Sequence, residues 1–204
     1  MFNKIEFPDK MNITLTVASG LEGVLKKELT RLGYPTLPAI NGAITIEGDC
    51  ETIARCNLNL RTADRVYIKL AEFPATSFDQ LFEGVSGINW ENFIEVDGKV
   101  NVNGKCVKSK LFSISDSQRI IKKAIAKRLC AKNGLNSLLE CGRTYSVEFS
   151  IFKDVASILL NTSGAGLHKR GYRDMVGIAP IKENMAAGLV LLSDYYWPKP
   201  FADP

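Results

Sequence analysis

"NITLTVASGLEGVLKKELTRLG", Asn12 to Gly33, decides how the rest of the chain is read. Asn12 to Ala18 alternates in polarity, with Ile13, Leu15 and Val17 on one face, the period of a half-buried strand. From Ser19 the period changes. Leu21, Val24, Leu25, Leu29 and Leu32 fall on a single helical stripe. Ser19 with Glu22 three residues on predicts a capping box at the helix start, and Gly33 predicts its stop.

A strand running straight into an amphipathic helix needs further strands to bury the shared apolar face, and the chain supplies them. "NGAITIEG" (Asn41 to Gly48) offers a turn and a strand, "CETIARCNLNL" (Cys50 to Leu60) a second helix, and "DRVYIKLAEF" (Asp64 to Phe73) another strand. With a weak strand counted near Thr36 to Ile40, the order is β-α-β-β-α-β, that of a split βαβ, ferredoxin-like unit. Its boundary falls near Pro74.

A second unit follows. "SFDQLFEGVSGINW" (Ser77 to Trp90) reads as a short helix and "KVNVNGKCVKS" (Lys99 to Ser109) as a strand and turn. "SDSQRIIKKAIAKRLCAKNG" (Ser115 to Gly134) is the clearest helix in the chain. Ile120, Ile121, Ala124, Ile125 and Leu129 mark its buried face, Arg119, Lys122, Lys123 and Lys127 share the other, and Asn133-Gly134 ends it. "TYSVEFSIFKDVASILLNTSG" reads as two strands joined at Lys153-Asp154, with Val147, Phe149 and Ile151 pointing inward. After Asn161 the chain is irregular and glycine-rich as far as Pro180. "PIKENMAAGLVLLSDYY" then reads as a helix with Pro180 in its first turn and Met185, Leu189 and Leu192 on its apolar side.

Charge is segregated along this frame. Ten basic side chains lie between Lys99 and Lys132 against one acid, Asp116, so that window carries +9 while the remaining 170 residues carry −5. Such separation points to a polyanionic partner. The basic face of Arg119, Lys122, Lys123 and Lys127, with Lys105, Lys108 and Lys110 beside it, can neutralise phosphates without reading sequence. The alternative is a solvated helix face. A membrane-surface helix fits less well, because the buried side carries no Trp or Phe.

Other chemistries find little support. A hydrophobic content of 46% with 24% charged residues is that of a folded globular chain. The first residues lack a leader-like apolar run, and no stretch approaches the roughly 20 apolar residues that span a bilayer, so a cytoplasmic protein without membrane partners is expected. The cysteine count is odd (Cys50, Cys56, Cys106, Cys130, Cys141) and no C-x-x-C pair occurs, so neither a disulfide framework nor a metal site is expected. "GAGLHKRGYR" (Gly164 to Arg173) lacks the spacing of a phosphate-binding glycine loop. Either it is a basic turn, or Lys169, Arg170 and Arg173 contact phosphate with Tyr172 interleaved. His168 has no partner at motif spacing and is read as packing or orienting.

The run "NTSGAGLHKRGYR…APIKENMAAGLVLLS…PFADP" resembles the entry to the catalytic domain of THUMP-containing ribosomal RNA guanine-N2 methyltransferases. "LTVASGLEGVLKKELTRLG" is similar to the N-terminal ferredoxin-like domain of that family. The resemblance implies an α+β chain: a ferredoxin-like domain over residues 1–75, a THUMP domain that binds RNA over 76–160, and the truncated start of a Rossmann-like methyltransferase domain over 161–204. It implies S-adenosylmethionine as cofactor of the full-length parent, with Asp203 opening the cofactor loop. No catalytic residue is expected within these 204 residues, whose own role would be RNA capture without methyl transfer. The implied partner is structured RNA, foremost 23S ribosomal RNA and not DNA. A transfer RNA methyltransferase and a non-catalytic RNA-binding adaptor remain as alternatives.

Overall fold

The computed structural model describes residues 5–35, 39, 42–171, 180–193, 195–196 and 198–202. The elements run β1 (Met11–Val17), α1 (Glu22–Arg31), β2 (Ala43–Gly48), α2 (Cys50–Asn59), β3 (Ala63–Pro74), α3 (Phe78–Ser86), a 3-10 turn at Trp90–Asn92, β4 (Lys99–Val107), α4 (Ile114–Asn133), β5 (Thr144–Phe152), β6 (Val155–Asn161) and α5 (Glu183–Leu192). Of the weak strand expected near Thr36 to Ile40 all but Ala39 lies outside the described residues, as do Tyr172, Arg173 and Asp203. Two compact units divide the chain, with the division inside β3. One comprises Asn12–Tyr67 and Thr162–Pro204, the other Met1–Met11 and Ile68–Asn161.

In the first unit the strands lie in the order β2-β1-β3. Ile13, Leu15 and Val17 of β1 meet Val24, Leu25 and Leu29 of α1, Cys56 of α2, and Ile44 and Ile46 of β2 in one core. The periodicity of the opening stretch thus does what it predicts. Burial pushes the Cys56 thiol up to about 11, so it serves as a small core residue and not a nucleophile. The helix start differs from expectation. Leu21, not Ser19, precedes α1, and no side chain caps it. Gly20, at φ +93°, turns the chain one residue later, and the Glu22 carboxylate accepts the Gly20 N–H at 2.7 Å instead. Gly33 ends α1 as read: its N–H reaches Thr30 O and that of Tyr34 reaches Leu29 O, a Schellman closure. α2 is capped by Asp49, which accepts both the Thr52 N–H and hydroxyl at 2.8 Å.

A buried carboxylate ties α1 to the loop before β3. Glu28, only 5% exposed, accepts the Thr62 hydroxyl at 2.6 Å, the Thr62 N–H at 3.1 Å and Arg61 Nε at 2.9 Å. These donors offset the desolvation of a buried charge.

The second unit carries the order β3-β6-β5-β4. β4 pairs parallel with β5 over nine residues, from Lys99↔Thr144 to Val107↔Phe152, and α4 is the crossover that parallel pairing requires. β5 returns through Lys153-Asp154 to pair antiparallel with β6. α4 lays Ile121, Ala124, Ile125 and Leu129 into a core shared by Leu81 and Val85 of α3, the fully buried Trp90, and Val147, Phe149 and Ile151 of β5. Ile120, expected on that face, is only half-buried. Ser113 caps α4, and Gly134 in left-handed geometry closes it. Gly104 lies opposite Phe149, where a Cβ would fall 2.2 Å from Phe149 O. Only glycine fits there.

The terminal helix is shorter than read. Lys182 is extended and α5 begins at Glu183, which leaves Pro180 outside its first turn. Its packed face also differs. Asn184 and Gly188 are buried, with Met185 and Leu191 against the core, while Leu189 and Leu192 are exposed. The small Gly188 selects that face by letting α5 close on Leu21, whose Cδ1 would be 2.5 Å from an added Cβ. Among the described residues no helix is long and apolar enough to cross a membrane.

Replacing Glu28 with Ala strands the Thr62 N–H and hydroxyl without an acceptor, and unfolding free energy should fall by about 2–4 kcal/mol. Glu28→Gln, which keeps one carbonyl oxygen, should lose less. Urea unfolding of the three proteins checks the order.

Candidate nucleic-acid interface

The basic residues fall into three groups with different fates. On α4, three of the six basic side chains meet acids from outside the basic stretch of sequence. Arg128 clamps Glu91 through Nε at 3.1 Å and Nη2 at 2.7 Å, and it also donates to Asn89. Lys132 approaches the same carboxylate at 3.8 Å, and Lys122 pairs with Glu140 at 2.7 Å. Arg119 pairs with Asp116 one turn away, and the Lys127 ammonium sits 5.1 Å from the Phe82 ring centroid. The Arg128 guanidinium holds the Glu91 carboxyl below its ordinary range, and Glu91 raises the Arg128 pKa in return. Lys123 is exposed and makes no ion pair among the described residues. The helix read as a uniformly basic face is thus partly neutralised at close range, three carboxylates standing against six cations, and Arg119 and Lys122 line a shallow groove with Asn101, Asn103 and Gln118.

The end of β4, which carries Lys105, and the turn into α4 behave otherwise. Lys105, Lys108 and Lys110 are exposed, and none forms an ion pair among the described residues. The turn is also fixed. The Ser109 hydroxyl donates to Val107 O at 3.0 Å and reaches Ile151 O at 3.3 Å, and it accepts the Asp154 N–H at 3.1 Å. The Lys110 N–H donates to Asp154 Oδ1 at 2.7 Å, and the Lys153 N–H to Val107 O at 3.2 Å. These bonds set the hairpin tip against the turn and bring in Lys153, a cation 21 residues beyond the basic stretch. Lys108 at φ 50° and Lys153 at φ 49° both occupy left-handed backbone, which costs a lysine about 1 kcal/mol. Sequence reasoning missed Lys153 because the parallel register of β4 on β5 is set by the crossover and by no local turn signal.

The third group belongs to the first unit. Past β6, the Thr162 hydroxyl donates to Val66 O at 2.8 Å. The Ser163 hydroxyl donates to Asn57 Oδ1 at 2.6 Å and accepts the Val66 N–H at 2.8 Å. The Leu167 N–H reaches Asp64 O, and Asn184 donates to Asp64 Oδ1 at 2.6 Å. Arg170 spends its guanidinium on three backbone carbonyls: Nε on Leu167 O at 2.9 Å, Nη1 on Leu58 O at 3.1 Å and Nη2 on Leu60 O. Two of these carbonyls belong to the end of α2, where a cation also suits the helix dipole. Arg170 therefore fastens the segment to α2. Lys169 is exposed, and His168 packs beside Gly166 with Nδ1 buried. Arg173 and Asp203 lie outside the described residues. Among the described residues, no group of three or more His, Cys, Asp or Glu side chains could hold a metal.

Residues 12–67 match the model of the RlmL ferredoxin-like domain, and residues 75–161 match the THUMP domain. The chain is 48% identical over 197 residues to YpsC of Bacillus subtilis (strain 168), whose name gives it a provisional RNA methyltransferase activity; the match covers 96% of this chain and 51% of that protein. It is 32% identical over 192 residues to the ribosomal RNA large subunit methyltransferase K/L of Pseudomonas entomophila (strain L48), across 94% of this chain and 26% of that one. The crystal structure of SMU.472, described as a methyltransferase on provisional grounds and solved with SAH, superposes with a TM-score of 0.91 at 42% identity, over 97% of this chain and 52% of that one. The chain spans about half the length of the first relative and about a quarter of the second.

Glu91 supplies a pH test of its pairing with α4. A carboxyl with a lowered folded pKa stabilises the fold above its ordinary value of 4.5, and that stability is lost as pH falls through the folded pKa. Glu91→Gln should melt below the wild type at pH 7, and the gap should narrow as pH falls below that value. Thermal melts across the acid range read it directly.

Proposed function

This chain pairs an RlmL-type ferredoxin-like domain with a THUMP domain, and from that premise we propose that it captures RNA for an S-adenosylmethionine-dependent methyltransferase acting on guanine N2 of 23S ribosomal RNA in the cytoplasm. The observation that carries the RNA reading is the cluster of Lys105, Lys108 and Lys110 on the THUMP unit, exposed and without ion pairs among the described residues. Cations held on fixed backbone and not matched by carboxylates gain most from phosphate contact, because counterions are released without a competing internal ion pair. The name of YpsC supports an RNA methyltransferase, and that of the Pseudomonas entomophila relative supports ribosomal RNA as the substrate. In this reading Asp203 opens the cofactor loop, and the lysine cluster is assigned RNA capture.

Lys105, Lys108 and Lys110 take the leading part in this reading, followed by Lys123 and Lys169. Arg119, Lys122 and Lys127 contribute less, because each already has a partner. Arg170 acts through the segment it fastens, and Arg173 stays with the phosphate-contacting set.

Two triple variants test the ranking: Lys105, Lys108 and Lys110 to Gln, and Lys122, Lys123 and Lys127 to Gln. Binding to a structured segment of 23S ribosomal RNA is measured by filter retention at several salt concentrations. The turn variant should lower the salt slope by about 2–3, at about 0.9 for each phosphate no longer neutralised. The helix variant should lower it by no more than about 1. A wild type whose affinity does not respond to salt would overturn the reading. A stronger effect from the helix triple would move the interface to α4.

A further inference from the structure

Phe112 is the most exposed large apolar side chain among the described residues, at 82%. Its setting is unlike that of a loop tip. Leu111 before it is buried, and Ser113 after it caps α4. The backbone at Phe112 is thus fixed from both sides while its ring stands in solvent, and no aromatic ring or cation lies against it among the described residues. Two residues back is Lys110, bonded through its N–H to Asp154, and Lys108 and Lys153 flank the same tie. Two of these three lysines hold left-handed backbone that glycine or asparagine would occupy at lower cost. The Asp154 carboxylate, the acid in the tie, is turned onto the Lys110 N–H.

An exposed ring on fixed backbone, with three exposed lysines free of ion pairs among the described residues on the same turn and tip (Lys153 resting 5.4 Å from the Phe152 ring centroid), has the chemistry of a stacking platform with phosphate contacts beside it. A duplex offers such a platform only its outer surface, because its bases are stacked on each other. An unpaired nucleotide offers a π-face together with its own two phosphates. We infer that the β4–α4 turn and the β5–β6 tip form a subsite for one unpaired nucleotide of RNA. Phe112 stacks on the base, and Lys108, Lys110 and Lys153 hold the flanking phosphates. Stacking accepts any base, so the subsite selects for the unpaired state and not for sequence. Little entropy is lost on binding, since the turn is already bonded in place. The inference rests on the RNA-binding reading above and narrows it to a nucleotide class.

Two RNA hairpins separate the possibilities, one with a fully paired stem closed by a tight loop and one with a single unpaired adenosine in the same stem. Wild-type protein should bind the bulged RNA more tightly. Phe112→Ala should cost about 5- to 100-fold on the bulged RNA, the span expected for loss of one base–aromatic stack, and leave the paired hairpin within about twofold. Phe112→Trp should keep the preference. The triple change of Lys108, Lys110 and Lys153 to Gln should weaken both RNAs. Equal binding of the bulged RNA by wild type and Phe112→Ala overturns the subsite and leaves RNA capture standing, as does an equal loss on both hairpins. Failure of the wild type to bind either RNA overturns the subsite and the reading beneath it. A Phe112→Ala loss confined to phosphatidylglycerol vesicles, with RNA binding intact, would make the ring a membrane anchor and overturn the subsite as well.

Discussion

Nine residue pairs hold β4 parallel to β5, and the character of the second unit follows from them. Parallel neighbours cannot be joined by a tight turn, so a long crossover is obligatory and α4, twenty residues long, fills it. The crossover must bury one side on the sheet, which fixes Ile121, Ala124, Ile125 and Leu129 inward and leaves the basic side chains outward. The same register ends at Val107↔Phe152, so the entry to α4 and the tip of the next hairpin arrive at one place. Ser109 and Asp154 then join them. The charge pattern in the sequence acquires a location only through that alignment.

In the first unit a comparable part is played by hydrogen bonds to the ends of elements. α2 offers its last carbonyls, and the segment after β6 answers with an arginine fork. Glu28 does the converse, offering acceptors to Arg61 and the N–H and hydroxyl of Thr62. Both arrangements use a charged group where its hydrogen-bond geometry matters as much as its charge. A lysine at 170 would bring a point charge without the planar fork that spreads its donors over separate carbonyls.

Much of this was legible in the sequence where the signal is periodic and local. Ile13, Leu15 and Val17 announce β1, the stripe from Leu21 to Leu32 announces α1, Gly33 and Gly134 announce helix ends, and Lys153-Asp154 announces the hairpin. The capping box at Ser19 fails locally, because Gly20 turns the chain, but the other misses share a cause, that the deciding neighbour is distant in sequence. Glu91 and Glu140 lie outside the basic stretch and pair with Lys122, Arg128 and Lys132 from elsewhere in the unit. Lys153 enters the basic cluster through a strand register. Gly188 and Asn184 choose the packed side of α5 against the leucine pattern, because close approach to Leu21 and a hydrogen bond to Asp64 outweigh two exposed leucines. Hydropathy counts side chains and has no means of counting how near two backbones come.

The left-handed lysine at 153 has a consequence for how this protein responds to selection. Asparagine or glycine there would relax the turn, so a library screened for heat tolerance alone would drift toward those residues and erase a cation from the tip. Lineages under pressure for thermal endurance and lineages under pressure for ligand retention should therefore part company at this position. Residue 153 would then record which pressure has prevailed.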